Sequence, residues 1–203
     1  TWRGAPGTAY NVDFADLASG LTTVQYRITS AEGGGGTVHK DWTDIAAGLG
    51  GAASYNTDWT VDFSALPEAA TSYVSARAYD AAGQTASLQD VFYIKKDVTL
   101  PTVTDDQLGD DTWRSADTAV YNVDFADAGG SLLQKAQIKV TTGPAQTGTV
   151  ISDWADRITG INAASYTADW GLGGGVWGLL PEGQSYVSVR VYDTASNLRA
   201  VSD

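Results

Sequence analysis

The side chains of this sequence most suited to ligand chemistry are carboxylates. The segment Asp105-Asp106-Gln107-Leu108-Gly109-Asp110-Asp111 places four of them within seven residues. Carboxylate oxygens are hard ligands that suit Ca²⁺, and a bound cation would relieve their mutual repulsion. Asp97 is close in the sequence, and we expect the turn at Asp80 to be close in space. The predicted calcium site therefore comprises Asp80, Asp97, Asp105, Asp106, Asp110 and Asp111.

The acidic segment has a second interpretation. Its spacing is not that of an EF-hand loop, which needs ligands at fixed positions along 12 residues. A solvated acidic loop that aids solubility explains the same residues. The two interpretations differ in whether calcium changes the thermal stability of the protein.

Tryptophan is the second residue type that could bind a ligand, because an exposed ring can stack on a sugar face. Six of the seven tryptophans recur as the pairs Trp2/Trp113, Trp42/Trp154 and Trp59/Trp170, and recurrence at fixed positions favours packing. The seventh, Trp177, lies in the glycine-rich segment 173–178. It is either an exposed contact for a sugar or another subunit, or a cap that folds back on its domain.

Catalysis finds little support in the residue inventory. His39 is the single histidine, and the chain has no cysteine. A catalytic triad based on His39 is less plausible than an exposed strand or loop position. Absence of cysteine excludes thiolate catalysis, disulfides and cysteine-type zinc sites. We expect the protein not to be an enzyme.

The chain is an internal repeat. Residues 1–16 return as residues 112–127 at an offset of 111, with 11 of 16 positions identical. Leu66-Pro67-Glu68 returns as Leu180-Pro181-Glu182. The period is too long for a solenoid unit and suits one small domain per repeat. The sequence therefore predicts two similar domains.

Composition limits the partners. The chain has 12 basic and 24 acidic residues, a formal charge of −12. This charge disfavours nucleic acid and an anionic membrane surface. No apolar run approaches the length of a membrane span. Abundant glycine and an acidic balance favour an extracellular, secreted or cell-surface protein.

Alternation of apolar and polar residues dominates the chain. Tyr10, Val12 and Phe14 share one face of a predicted strand, and Val24, Tyr26 and Ile28 share one face of the next. Short alternating strands separated by turn residues predict an all-β sandwich.

Several motifs resemble those of bacterial immunoglobulin-like (Big or fibronectin-III-like) tandem repeats of large surface or secreted proteins. They are Val-Gln-Tyr-Arg-Ile at 24–28, Leu-Pro-Glu at 66–68, Tyr-Val-Ser-Ala-Arg-Ala-Tyr-Asp at 73–80, and Lys-Asp-Val-Thr-Leu-Pro at 96–101. Most recur in the second copy. The resemblance covers nearly the whole chain and implies two immunoglobulin-like β-sandwich domains joined by a short linker. In some related repeats, calcium between domains stiffens the array.

The two domains are predicted at residues 1–97 and 98–203. The first is expected to lack its first strand, because the counterpart of residues 95–104 would precede Thr1. The second is expected to lack part of its last strand, because the counterpart of residues 91–94 would follow Asp203. Either the chain is a window from a longer array, or a neighbouring chain supplies the strands.

These observations lead to two functional hypotheses. The first is a non-enzymatic structural spacer of an extracellular bacterial surface protein or fibre, with neighbouring repeats or copies of itself as partners. The second is an adhesin or carbohydrate-binding accessory module that uses Trp177 to bind a glycan or another cell-surface ligand. A buried Trp177 favours the spacer, and an exposed Trp177 beside a groove favours the binder.

Overall fold

The chain forms two compact units, Thr1–Asp97 and Val98–Asp203. The computed structural model describes residues 1–7, 9–107, 109 and 112–203. Each unit has its own strands and its own hydrophobic core.

Unit 1 contains seven strands in two sheets. They are β1 (Trp2–Arg3), β2 (Phe14–Ala15), β3 (Leu21–Ala31), β4 (Gly35–Ala52), β5 (Ser54–Tyr55), β6 (Ala70–Asp80) and β7 (Thr85–Lys96). The larger sheet has the order β1-β7-β6-β3-β4, and the smaller sheet pairs β2 with β5. Only β1 and β7 run parallel. A short 3₁₀ turn, Phe63–Ala65, precedes β6.

Unit 2 repeats this arrangement. Its strands are β8 (Thr102–Asp105), β9 (Val123–Ala126), β10 (Leu133–Thr141), β11 (Val150–Ala163), β12 (Ser165–Tyr166), β13 (Tyr186–Asp193) and β14 (Leu198–Val201). One sheet has the order β11-β10-β13-β14 and the other β12-β9-β8. A single helical turn, α1 (Gly174–Trp177), stands where unit 1 has its 3₁₀ turn.

The strand order identifies the fold type. The order β7-β6-β3-β4 in unit 1 corresponds to β14-β13-β10-β11 in unit 2, and β5-β2 corresponds to β12-β9. Two antiparallel sheets with this order form an immunoglobulin-like or fibronectin-III-like sandwich. The predicted all-β fold is therefore confirmed. In unit 2, β8 adds a third strand to the smaller sheet by pairing with β9.

The core follows the predicted alternation. Val24, Tyr26 and Ile28 are buried on the inner face of β3, whereas Gln25 and Arg27 lie on the outer face and are only partly buried. Burial of alternate apolar side chains from two facing sheets is the main stabilising contribution in such a sandwich.

Trp59 and Trp170 anchor the two cores. Each is about 5% exposed and bridges to a tyrosine of the facing segment, Tyr10 or Tyr121, through paired backbone hydrogen bonds. The indole Nε1 of Trp59 donates to the carbonyl of Val12 over 3.2 Å, and that of Trp170 donates to Val123 over 3.1 Å. A buried indole needs such an acceptor, so both rings are structural.

No helix among the described residues has the length and apolarity needed to cross a membrane.

Candidate metal centre

Three buried aspartates converge at the start of unit 2. Asp97, Asp127 and Asp193 each contribute a carboxylate oxygen, and these oxygens lie within 4.8 Å of one another. Asp97 and Asp193 are fully buried and Asp127 is 6% exposed. We call these three residues the carboxylate cluster. Among the described residues, no other set of three or more acidic or histidine side chains has this geometry.

The end of a strand places each member of the carboxylate cluster. Asp97 directly follows β7, and its backbone N–H donates to the carbonyl of Arg3 over 3.0 Å. Asp127 directly follows β9, and its N–H donates to the carbonyl of Ala164 over 2.8 Å. Asp193 is the last residue of β13. Because ladder hydrogen bonds hold the backbone at all three positions, the cluster does not depend on mobile loops.

Asp127 also organises the turn that follows it. Its Oδ1 accepts from the backbone N–H of Gly129 over 3.1 Å, and its Oδ2 accepts from the N–H of Leu132 over 2.9 Å. These bonds fix the orientation of the buried carboxyl group. Each oxygen retains a second lone pair, which a cation could use.

Asp193 is oriented in a comparable way by the turn between β13 and β14. Its Oδ1 accepts from the backbone N–H of Asn197 over 2.8 Å, and its Oδ2 accepts from the Asn197 side-chain amide over 2.7 Å. The turn from Asp193 to Asn197 therefore positions the Asp193 carboxylate. Asn197 donates to the carboxylate through its amide nitrogen, whereas an asparagine that binds calcium does so through its amide oxygen.

The cluster has the donor chemistry of a calcium site. Three carboxylates supply six oxygens, and Ca²⁺ takes six to eight oxygen ligands in flexible geometry. Buried like charges at this separation repel one another, and a divalent cation removes that repulsion. The residues present therefore fit a calcium ion.

The predicted calcium site shares one described residue with the carboxylate cluster. Asp97 is a member, but Asp80 ends β6 in unit 1, and Asp105 and Asp106 are exposed at the end of β8. The carboxylate cluster instead includes Asp193, the repeat counterpart of Asp80. Asp105 instead accepts from the N–H of Gln107 over 2.9 Å. Asp110 and Asp111 lie outside the described residues.

Asp127 was missed because nothing in its neighbourhood is unusually acidic. The signal available was its repetition: Phe-Ala-Asp occurs at 14–16 and again at 125–127. In unit 1, Asp16 organises the turn that follows it, as Asp127 does in unit 2. Its oxygens accept from the N–H of Ala18 over 3.0 Å and from the hydroxyl of Ser19 over 2.9 Å. These two bonds, the amide first, lower the pKa of Asp16 below its ordinary value.

Trp177 packs on its own unit. It is the last residue of α1, it is half-buried, and together with Val176 it contacts the core of unit 2. Its backbone N–H donates to the carbonyl of Gly173 over 3.0 Å, at a residue whose φ of 84° suits glycine. Of the two sequence interpretations, this placement corresponds to the cap. A ligand role for Trp177 stays a prediction.

The outer faces of the large sheets carry a repeated stack of aromatic and cationic side chains. The Arg77 guanidinium lies 4.3 Å from the Trp42 ring centroid and 5.0 Å from that of Tyr79. In unit 2, Arg190 lies 4.4 Å from Trp154 and 5.5 Å from Tyr192. Because both units build the same stack, it is best explained as scaffold.

The remaining candidates are less distinctive. His39 lies half-buried on β4. Trp113, unlike its counterpart Trp2, is 84% exposed, so the expectation that every repeated tryptophan is packed is wrong at this position.

Comparisons with known proteins give a likeness of fold. No family model and no curated protein matches the sequence. Among solved structures, the chain is similar to fibronectin(III)-like modules of Clostridium thermocellum CbhA, at 12% identity and a TM-score of 0.37, covering 99% of this chain and 84% of that one. It is also similar to a tetra-tandem repeat in the extending region of a large adhesion protein, at 20% identity and a TM-score of 0.36, covering 98% of this chain and 46% of that one.

A third similar structure is CBD12 from CALX1.2, at 11% identity and a TM-score of 0.25, covering 98% of this chain and 77% of that one. At these identities and TM-scores the strand order, rather than the comparisons, carries the fold assignment.

Proposed function

We propose that residues 1–203 are tandem repeat modules that act as a structural spacer in an extracellular surface or adhesion protein, and that calcium bound by the carboxylate cluster stiffens them. The observation that carries the proposal is the burial of Asp97 against Asp127 and Asp193. Asp97 is the residue that leads from one repeat into the next.

The spacer role agrees with the positions of the tryptophans and of the stacked arginines. The buried tryptophans and the two arginine stacks recur at matching positions and contact their own unit. A catalytic centre is normally needed once, whereas scaffold recurs with each repeat. A net charge of −12 favours solubility of such an array.

A cation would act mechanically. Asp127 is fixed by its turn and Asp193 by Asn197, so both present oriented oxygens. The positive charge of bound calcium would offset the repulsion between these two carboxylates and that of Asp97. Bound calcium would then immobilise residue 97, which restrains the linking segment 97–101.

The same chemistry supports the proposed extracellular location. A site of three carboxylates without an EF-hand frame suits weak binding, and extracellular modules bind calcium with Kd of about 10⁻⁴–10⁻³ M. Partners of the module would be neighbouring repeats or further copies in a fibre. The alternative, an adhesin or accessory module binding a glycan through Trp177, is less favoured because that ring packs on the core of unit 2.

Thermal unfolding with calcium or chelator tests the proposal. Calcium at 100 times its Kd should stabilise unit 2 by about 2.7 kcal/mol, which raises its midpoint by roughly 10–20 °C for a unit of this size. Asp193→Asn should abolish this shift. Its repeat counterpart, Asp80→Asn in unit 1, should leave the shift of unit 2 intact.

A second measurement isolates the mechanical role. Calcium should slow amide hydrogen exchange at Val98–Leu100 in the unmodified protein but not in Asp193→Asn. An unchanged midpoint and unchanged exchange with calcium would contradict the calcium part of the proposal. Asp193→Asn removes one repelling charge but also one of the two acceptors for Asn197, so the readout is the shift of the midpoint between calcium and chelator within each variant.

A further inference from the structure

Unit 1 contains a cleft of about 370 Å³ between two segments of the chain. Residues 6, 7 and 10 form one wall, and residues 60–64, which include the start of the 3₁₀ turn, form the other. The isolated bridge between Tyr10 and Trp59 joins the two segments. The volume lies within the range of small-molecule sites, about 300–1,000 Å³.

The walls of the cleft combine apolar surfaces with hydroxyl groups. Pro6, Tyr10 and Phe63 supply apolar surface. Thr60 and Ser64 supply the hydroxyls. A mainly apolar lining with a few polar groups is the usual composition of a site that binds a small molecule, because the apolar part gives affinity and the polar part fixes orientation.

Two cationic side chains border the cleft. The Arg3 guanidinium lies 5.7 Å from the Tyr10 ring centroid, and Lys96 Nζ lies 5.2 Å from the Phe63 ring centroid. β1 pairs with β7 in a register that sets Arg3 opposite Lys96. Strand pairing therefore brings both cations to the cleft.

Gly7 makes room for the guanidinium. A Cβ at this position would overlap Nη1 of Arg3, so the absence of a side chain allows Arg3 to lie against the wall of the cleft. The overlap would involve the end of a flexible side chain rather than backbone. Alanine at position 7 should therefore displace the Arg3 guanidinium at little cost to the fold.

The cleft is locally basic on an acidic protein. Asp62 is the one acidic residue of its walls, and Lys40 pairs with it over 3.0 Å. Among the residues that the structure describes, neither Arg3 nor Lys96 forms an ion pair with a carboxylate. These two positive charges are not balanced locally, although the chain carries a net charge of −12. An anionic group of a ligand would balance them.

Unit 2 does not repeat this part of the cleft. The counterparts of residues 6, 7, 40 and 62 differ in type, and they are Asp117, Thr118, Ser152 and Gly173. The backbone also comes together there, because a Cβ at Gly171, the counterpart of Thr60, would lie 2.7 Å from the carbonyl oxygen of Ala119. Scaffold recurs in each repeat, so a cleft with this chemistry in unit 1 indicates a role specific to that unit.

We propose that the cleft of unit 1 binds a uronic acid residue of an acidic glycan. The sugar ring has an apolar face that packs on Tyr10 and Phe63, and hydroxyls that the polar groups of the walls bind. Its carboxylate accepts two parallel hydrogen bonds from the Arg3 guanidinium and pairs with Lys96. The site is separate from Trp177 and from the carboxylate cluster, and it adds a binding activity to the proposed spacer.

Titration of the 203-residue protein with digalacturonate tests the site. Amide NMR signals of residues 60–64 should shift with one site per chain, and the affinity should fall as salt is raised from about 0.05 M to about 0.5 M. Lactose, a neutral disaccharide, should bind at least tenfold more weakly, because it lacks the carboxylate. The titration is run in chelator, since calcium binds carboxylates and would itself bring ligand to the protein.

A matched pair of variants locates the ligand. Arg3→Gln should weaken binding of digalacturonate at least tenfold. Arg114→Gln, at the repeat counterpart in unit 2, should leave the affinity unchanged. Gly7→Ala tests the same contact without removing a side chain of β1: it should weaken binding by displacing the guanidinium, while the unfolding midpoint of unit 1 stays the same.

Four outcomes overturn the proposal. They are absence of binding, equal binding of lactose, unchanged binding in both Arg3→Gln and Gly7→Ala, and NMR shifts that centre on Trp177 instead of residues 60–64. Equal binding of a hexaglutamate peptide also overturns it, because the cleft would then recognise an anionic polypeptide. None of these outcomes affects the calcium proposal, which the midpoint of unit 2 with calcium or chelator decides.

Discussion

Lys40 Nζ donates a hydrogen bond to Oδ2 of Asp62 over 3.0 Å and joins β4 to the residue that caps the 3₁₀ turn of unit 1. Oδ1 of Asp62 accepts from the backbone N–H of Ser64 over 3.1 Å and from its hydroxyl over 2.5 Å. The Ser64 hydroxyl contributes most and Lys40 next, and together they lower the pKa of Asp62 from 3.8 to about 2.

This pKa predicts an acid-dependent loss of stability. A carboxyl whose pKa is lower in the folded state stabilises the fold above its unfolded pKa, and this contribution disappears as the pH falls from 3.8 through about 2. The side chain is 35% exposed, so solvent screening limits the effect. Asp62→Asn should cost about 1 kcal/mol at pH 7 and almost nothing at pH 2.

Urea unfolding at the two pH values measures the Asp62 effect. Asp13→Asn, at an exposed position of the same unit, is the control for the general effect of removing a charge. A cost for Asp62→Asn that is equal at pH 7 and pH 2 would contradict the assignment.

Trp170 should be the most sensitive aromatic residue of unit 2. Trp170→Ala removes a buried ring and leaves the Val123 carbonyl without its indole donor, which should cost about 3–5 kcal/mol. Trp154→Ala removes a half-exposed ring and should cost about 1 kcal/mol. Calorimetry should show a lower midpoint for the unit 2 transition only; equal costs for the two variants would refute the structural role of Trp170.

Gly20 and Gly48 form a matched pair for testing a close backbone approach. Both have a left-handed φ, +80° and +67°. A Cβ at Gly20 would lie 2.1 Å from the carbonyl oxygen of Gly51, whereas one at Gly48 would contact nothing within 4 Å. Gly48→Ala should cost about 1 kcal/mol for the backbone conformation, and Gly20→Ala a further 1–3 kcal/mol for the clash. Chemical denaturation compares them, and similar costs would count against the close approach.

The contacts of Arg190 require a planar guanidinium group. Its Nε donates to Oε1 of Gln137 over 2.6 Å while the group stacks on Trp154. Lysine cannot reproduce both contacts, so Arg190→Lys should destabilise unit 2 by about 1 kcal/mol and change the fluorescence of Trp154. Arg199→Lys, at an exposed position, should do neither. Identical behaviour of the two variants would show that the stack contributes nothing.

The fold could be predicted because its signals are short-range and occur twice. Alternation in Val24–Ile28 reports which side of one strand is buried, and recurrence of residues 1–16 at 112–127 reports a second domain. The broken pairing around Trp59 was less visible, because only an isolated bridge holds that residue. The choice between cap and exposed contact for Trp177 also lay beyond the sequence, since it depends on what the ring meets after the chain folds.

The candidate metal centre shows where such reasoning stops. Local acid density pointed to residues 105–111, but Asp105 and Asp106 are exposed at the end of a strand. The carboxylate cluster draws single aspartates from positions 97, 127 and 193. Each of them is unremarkable in its own neighbourhood.

Repetition, alternation, charge and the absence of cysteine are properties of the chain read in order, and they were enough to establish two similar all-β domains. Convergence of Asp97, Asp127 and Asp193, and exposure of Trp113 but not of Trp2, depend on which strand ends meet. Strand pairing joins residues that are tens of positions apart, so these features exist only after the sheets have formed. Burial removes the water that would screen the three carboxylates, so they repel one another and attract a cation. This burial, too, arises only when the chain folds.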